Sequence, residues 1–231
     1  MWRKNAIAGL LHWAATIVFS IAAVPANSQV SSQLCGSLEN AYGPYDYRTD
    51  RARLGIVEKF HFTAQVEMLV KGASGTLGGD LDYTLRAFPN HHRALIALIT
   101  LTERTKLPQP AGLPRQTECY FERALRFKRD DNVARMLYAR YLSITKRESE
   151  AVQQLDQVVH AAADSALTHY NAGLIYAELK VYDKALAQAH MALRLGHQGD
   201  GLRQILQAAN QWREPSAPPA ETAASEVRAT R

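Results

Sequence analysis

A 34-residue self-similarity in the second half of the chain constrains the fold more than any other feature. Residues 132–165 and 166–199 follow one another in the same register without a gap. Ala139 of the first unit matches Gly173 of the second, and Ala151 matches Ala185. Leu142 and Leu155 supply bulk between the small positions. Small residues at such places let two helices approach closely, and bulk elsewhere fills the groove between helix pairs. A unit of this length cannot bury its apolar face alone, so neighbouring units must stack. Asp130-Asp131-Asn132 offers an N-cap for the first helix of the 132–165 unit. The second helix of that unit is predicted to open at Ser149-Glu150, after a break over Thr145–Glu148.

The unit ALTHYNAGLIYAELKVYDKALAQAHMALRLGHQG resembles one complete tetratricopeptide (TPR) repeat, whose skeleton is W-x2-L-G-x2-Y, then A-x3-F, then P. His169, Ala172, Gly173 and Tyr176 fall on the first marks, Ala185 and Ala189 on the next two, and Ala192-Leu193 follow. The resemblance implies an all-α, right-handed α-solenoid of helical hairpins that holds a protein or peptide partner. It also implies a groove lined by the first helix of each hairpin. That register selects His91, Ala94, Leu98 and Leu101, then Val133, Met136 and Arg140, then Tyr170, Leu174 and Glu178. This lining is mostly apolar. Of the Lys-and-Asn set that TPR domains use to grip a C-terminal carboxylate, Arg140 is the only basic member. An extended or helical peptide docking by apolar contacts is therefore expected. The stretches CGSLENAYGPYDYR and DLDYTLRAFPNHHRAL also resemble the front of a group of exported bacterial TPR proteins. That likeness adds location and fold, and no chemistry.

Towards the N-terminus the register needs an insertion. Residues 90–105 and 115–129 read as a hairpin with an enlarged turn, because Lys106–Pro114 carries three prolines and a glycine that cannot continue a helix. Phe88-Pro89-Asn90 reads as the end of a still earlier repeat, with its second helix over 79–87 and its first within 50–71. Residues 27–49 are an N-terminal extension and 50–89 an atypical, turn-rich front cap. At the rear, 200–212 reads as an amphipathic capping helix with Leu202, Ile205, Leu206, Ala209 and Trp212 on one face. Residues 213–231 lack bulky apolar side chains and are expected to be disordered.

Arg3 and Lys4, an apolar run over Ala6–Val24 and the small residues of Val24-Pro25-Ala26 read as a secretory signal peptide, residues 1–26. A retained anchor helix is the alternative. Removal of the leader with Arg3 and Lys4 leaves 25 cations against 22 carboxylates, a net of +3. That is too mild for a nucleic-acid partner, which calls for a basic stripe. The two cysteines, Cys35 and Cys119, suggest one bridge in an exported protein, with two buried thiols as the alternative. A closed loop of 84 residues stabilises by about 4 kcal/mol on the chain-entropy model.

Catalytic signals are weak. His91-His92 with His61, Glu67, Asp80 and Asp82 assemble a metal site on paper. Neighbouring positions on a helix diverge by about 100°, however, so His91 and His92 do not easily share an ion. Asp80 and Asp82 stand at a helix start, where the dipole favours acids. Neither a P-loop nor a Gly-x-Ser-x-Gly elbow is present. The chain is therefore expected to be an adaptor without catalytic activity or cofactor. Its rivals are a metal-binding or enzymatic protein with its site in 35–92, and a structural subunit that self-associates. Tyr45, Tyr47 and Arg48 have two readings, a clamp that fastens the front cap or a hot spot for a partner.

Overall fold

A computed structural model of the chain describes residues 35–162 and 164–215. The expected leader, the first part of the extension and the tail beyond Pro215 lie outside these residues. Among the described residues there are ten α-helices and no strand. They are α1 (Arg51–His61), α2 (Ala64–Glu67), α3 (Leu77–Ala87), α4 (His92–Thr105), α5 (Thr117–Phe127), α6 (Asn132–Ile144), α7 (Glu148–Ala161), α8 (Ala166–Glu178), α9 (Tyr182–Arg194) and α10 (Gly201–Ala208). None is long and apolar enough to cross a membrane.

The 34-residue period is written into the backbone. Asp131 caps α6 by accepting from the Ala134 N–H, and Ser165 caps α8 by accepting from the Thr168 N–H, 34 positions later. At the other end, Arg147 N–H donates to Leu142 O and Val181 N–H to Tyr176 O, again 34 positions apart. Each such bond closes a turn in which a single residue takes positive φ, Lys146 at 65° and Lys180 at 59°. Two tight antiparallel hairpins result, α6–α7 and α8–α9. The α4–α5 pair belongs to the same series. His91 caps α4 from Ala94 N–H, 40 positions before Asp131, and Lys106 takes φ 56° where Lys146 and Lys180 do. The first residue of α5 comes 11 positions after Lys106, against two from Lys146 to α7, so the turn over 106–116 gains nine; α5, at 11 residues, is three shorter than the 14 of α7, which leaves the net six.

That turn is packed rather than loose. Leu113 is buried in the core, Thr117 N–H donates to Pro108 O, and the backbone at Ala111 presses on the start of α3. A Cβ on Gly78 would stand 2.4 Å from Ala111 O, so only glycine fits that approach.

One core runs through the hairpins. The first helices α4, α6 and α8 pack side by side, and α5 and α7 bridge successive pairs. Phe121 of α5 stacks on Tyr138 and Tyr141 of α6 at centroid distances of 5.7 and 5.1 Å. Gly173 stands where a Cβ would lie 3.2 Å from Gln188 Cβ of α9 and 2.4 Å from Leu202 Cδ2 of α10. The close approach is thus threefold: hairpin partner, glycine and capping helix. On α10, Leu202 and Leu206 are buried as expected, whereas Ile205 is 45 % exposed and faces away. The helix stops at Ala208, short of the expected end at 212. The next residues do not trail off at 213. Glu214 accepts from Trp212 Nε1–H at 3.0 Å and from Arg203, and His190 Nε2 contacts Arg213 O at 2.8 Å.

The front is built differently. A smaller core of Leu54, Val57, Ala87 and Phe88 joins α1 to α3, and Tyr42, Tyr45, Tyr47 and Tyr83 pack over it. Cys35 and Cys119 are disulfide-bonded, with Cα atoms 5.0 Å apart, and tie this segment to α5. Beside the bridge, Arg123 is only 1 % exposed. Its Nη1 donates to the carbonyls of Cys35 and Ser37, and Arg126 donates to Gly36 O at 2.6 Å. Burial draws the Arg123 guanidinium down to about 10.

Candidate functional site

Equal caps fix which residues on the three first helices are equivalent. With offsets of 40 and 34, Arg93, Val133 and Leu167 share one position. Ile96, Met136 and Tyr170 share the next, followed by Thr100, Arg140 and Leu174. Because α4, α6 and α8 lie side by side, these rows form one face. Three apolar side chains on it are exposed: Ile96 at 49 %, Val133 at 41 % and Leu167 at 60 %.

The sequence placed this face two residues out of register on α4. His91 and Leu98 are fully buried, as is Ala94, and Leu101 is nearly so. None of them lines a groove. Met136 is also a core residue. Tyr170 and Leu174 are half-buried and pack against the core, Tyr170 with its ring 4.0 Å from that of His197. Arg140 and Glu178 are at the surface and form an ion pair. The slip arose from the length of the insertion: matching His91 to Val133 implies an offset of 42, whereas the caps at His91 and Asp131 are 40 apart. The true register leaves α4 intact and puts the insertion in the turn, partly offset by the shorter α5. Leu167, the most exposed apolar residue on the face, was missed, although it stands two residues after the Ser165 cap.

The charges on the face are paired across helices. Arg93 Nε donates to Glu67 at 2.8 Å and Nη1 to Glu58 at 3.2 Å, which ties α4 to α2 and α1. The Glu67 bond raises Arg93 above its ordinary range and holds Glu67 below its own. With Arg140 joined to Glu178, the balance leaves the apolar residues as the unpartnered element.

Tyr45, Tyr47 and Arg48 fasten the front cap. Tyr45 N–H donates to Ala87 O at 2.9 Å, and its ring lies 5.6 Å from Phe88. The Tyr47 ring lies 4.3 Å from that of His91. Arg48 forks onto Asp46 at 2.8 and 3.1 Å and reaches Asp130 at 3.0 Å. Behind it, fully buried Asn90 donates from one Nδ2 to Asp46 at 2.7 Å and to Asp131 at 2.8 Å, while its oxygen accepts from Tyr47 N–H. His92 completes the hub at 2.9 Å from Asp131. Arg48 holds the Asp46 carboxyl well below the usual range. Burial opposes ionisation of Asp131, but His92 and the Ala134 N–H keep it low as well. This network joins the extension to the starts of two hairpins.

The residues assembled on paper as a metal site do not converge: His61 and Asp80 pair with each other, and the rest go to other partners. His91 contacts Glu58 at 3.2 Å, His61 contacts Asp80 at 2.8 Å, and Asp82 takes Arg86, Arg115 and Tyr120. Among the described residues no three His, Cys, Asp or Glu side chains gather as a ligand set. Compared with known proteins, the chain matches no family model, no curated protein and no solved structure.

Proposed function

We propose that the protein is an exported scaffold, a TPR-like right-handed solenoid whose first-helix face holds an extended or helical segment of a protein partner in an envelope-associated assembly. One observation carries this reading. Ile96, Val133 and Leu167 stand unpartnered on the first helices of three successive hairpins, while the charges around them are already paired. An apolar strip of this kind is costly to leave in water and fits a partner that docks by apolar contacts. The repeated caps and turns support the solenoid, and the leader-like start and the disulfide support export. No catalytic step is part of this reading.

The test uses mature protein as bait in envelope extracts, with Leu167→Asp and Val133→Asp beside wild type. Both sites are exposed, so the melting curve should stay near that of wild type while capture of a discrete partner falls at least tenfold. Undiminished capture by both variants overturns the reading. Mass spectrometry of protein from the envelope should find a new N-terminus near Asn27, and an intact Met1 removes the export part.

A further inference from the structure

Between α1 and α3 lies a cleft of about 370 Å³, lined among others by Tyr42, Ile56, Phe60, His61, Ser74 and Tyr83. Its size falls in the range of small-molecule sites. Its walls are carbon-rich and largely aromatic. Ile56 and Phe60, one helical turn apart on α1, are 56 % and 47 % exposed. This front region lies outside the helices that carry the repeat.

One polar group in the cleft is held with unusual care. His61 Nδ1 lies 2.8 Å from Asp80 Oδ1, and the imidazole stacks on Tyr83 at a centroid distance of 3.8 Å and 22°. The ring is thereby fixed by its edge and by its face. Asp80 is itself buried, and its other oxygen accepts from the N–H groups of Ala73, Ser74 and Gly75 at 2.6, 3.1 and 3.3 Å. Burial opposes its charge, yet His61 and these three donors hold the carboxyl below its ordinary range. An ionised carboxylate only accepts, so Nδ1 carries the hydrogen that points to Asp80. In the neutral ring Nε2 is then an acceptor. Nε2 has no hydrogen-bond partner among the described residues, and it is not among the buried polar atoms that lack one, so solvent reaches it. The cleft thus combines aromatic walls with an oriented ring acceptor, beside the hydroxyls of Tyr42, Ser74 and Tyr83.

We propose that this cleft binds a small phenol, with the ring against Phe60 and the tyrosines and the hydroxyl donating to His61 Nε2. Aromatic walls favour an aromatic guest over an aliphatic one. An oriented acceptor discriminates by the donor it satisfies, because a guest without one leaves it unpaired and dry.

The experiment is an NMR titration of the mature, disulfide-bonded chain with p-cresol, toluene and N-acetyl-tyrosine amide. p-Cresol should saturate at least tenfold more tightly than toluene, a difference of about 1.4 kcal/mol, and should shift the His61 Nε2 resonance. His61→Phe keeps a ring on Tyr83 but lacks the acceptor, so it should erase the preference for p-cresol. Ile56→Asp, at the exposed rim, should weaken both ligands without unfolding the protein. Equal affinity for p-cresol and toluene, or no saturation by about 10 mM, overturns the proposal. So does N-acetyl-tyrosine amide binding tenfold more tightly than p-cresol, which would assign the cleft to a partner's tyrosine side chain instead.

Discussion

Arg140 Nη1 lies 2.7 Å from both carboxylate oxygens of Glu178, so the cation of one first helix is held by the anion of the next. The pair staples α6 to α8 on the proposed docking face, and its side chains are 40 % and 48 % exposed. Solvent screens such a pair, which is worth at most about 1 kcal/mol. Arg140→Glu should therefore lower stability by no more than about 1 kcal/mol, with the helical circular-dichroism spectrum kept. It also places two anions beside the apolar strip, and capture of a partner should fall. Adding Glu178→Arg restores a pair of opposite charges, and the melting temperature should recover. A loss well beyond that range means the pair supports the fold rather than the face.

Gly173 separates two effects that usually come together. Alanine there gains up to about 1 kcal/mol of helix propensity. Its methyl meets Gln188 Cβ at 3.2 Å and the movable end of Leu202 at 2.4 Å. Gly173→Ala should be close to neutral, whereas Gly173→Leu should cost about 1–3 kcal/mol by overpacking α8 against α9 and α10. Thermal melts of both variants decide it. An unchanged midpoint for Gly173→Leu contradicts the close approach of these helices.

The spacing of small and capping residues made the two gap-free hairpins readable. Asp131 and Ser165 begin helices because a short acceptor side chain satisfies a free N–H, and Gly173 and Ala185 sit where bulk would hold two helices apart. The prolines and glycine of Lys106–Pro114 mark where the insertion falls but not how many residues it adds to the register, which is why the α4 face slipped by two positions. The hub at Asn90 was invisible for another reason. Its bonds to Asp46 and Asp131 join residues 44 and 41 positions apart, and no periodicity encodes them. The His61–Asp80 contact was hidden in the same way, although both residues stood out as titratable.

Stability should depend on pH in two steps, one that begins near pH 6.5 and one that joins it below about pH 4. Burial, with Arg93 nearby, depresses the fully buried His91 from 6.5 to about 3. Its Nδ1 accepts from Ala94 N–H, so the ring is stored neutral. Above pH 6.5 neither folded nor unfolded chain protonates it, and its contribution is complete. As pH falls, the unfolded chain takes up a proton that the folded chain refuses, and stability drops by up to about 1.4 kcal/mol per pH unit. Asp46 and Asp131 add their loss only below about pH 4, where unfolded carboxylates protonate. Denaturant melts from pH 7 to 4.5 should show the first slope. His91→Asn retains a capping acceptor, and the slope should flatten. An equal slope in the variant shows that another group carries it.

The Cys35–Cys119 bridge should appear in a non-reducing peptide map as a single linked pair. Replacing both cysteines by serine should destabilise by about 4 kcal/mol on the chain-entropy model and release the carbonyls that surround Arg123. Free alkylation of both thiols in unreduced, denatured protein contradicts the bridge.

In the proposed reading the row of first helices, and not the row of second helices, receives the partner. Site-specific photocrosslinking in the cell envelope measures this directly. A photoreactive residue is placed at Val133 or Leu167 on the first helices, and at the equally spaced, exposed Gln153 or Ala187 on the second helices. One discrete crosslinked partner is expected from Val133 and Leu167 and none from Gln153 and Ala187. The same partner trapped from Gln153 and Ala187, with nothing from Val133 and Leu167, would contradict it.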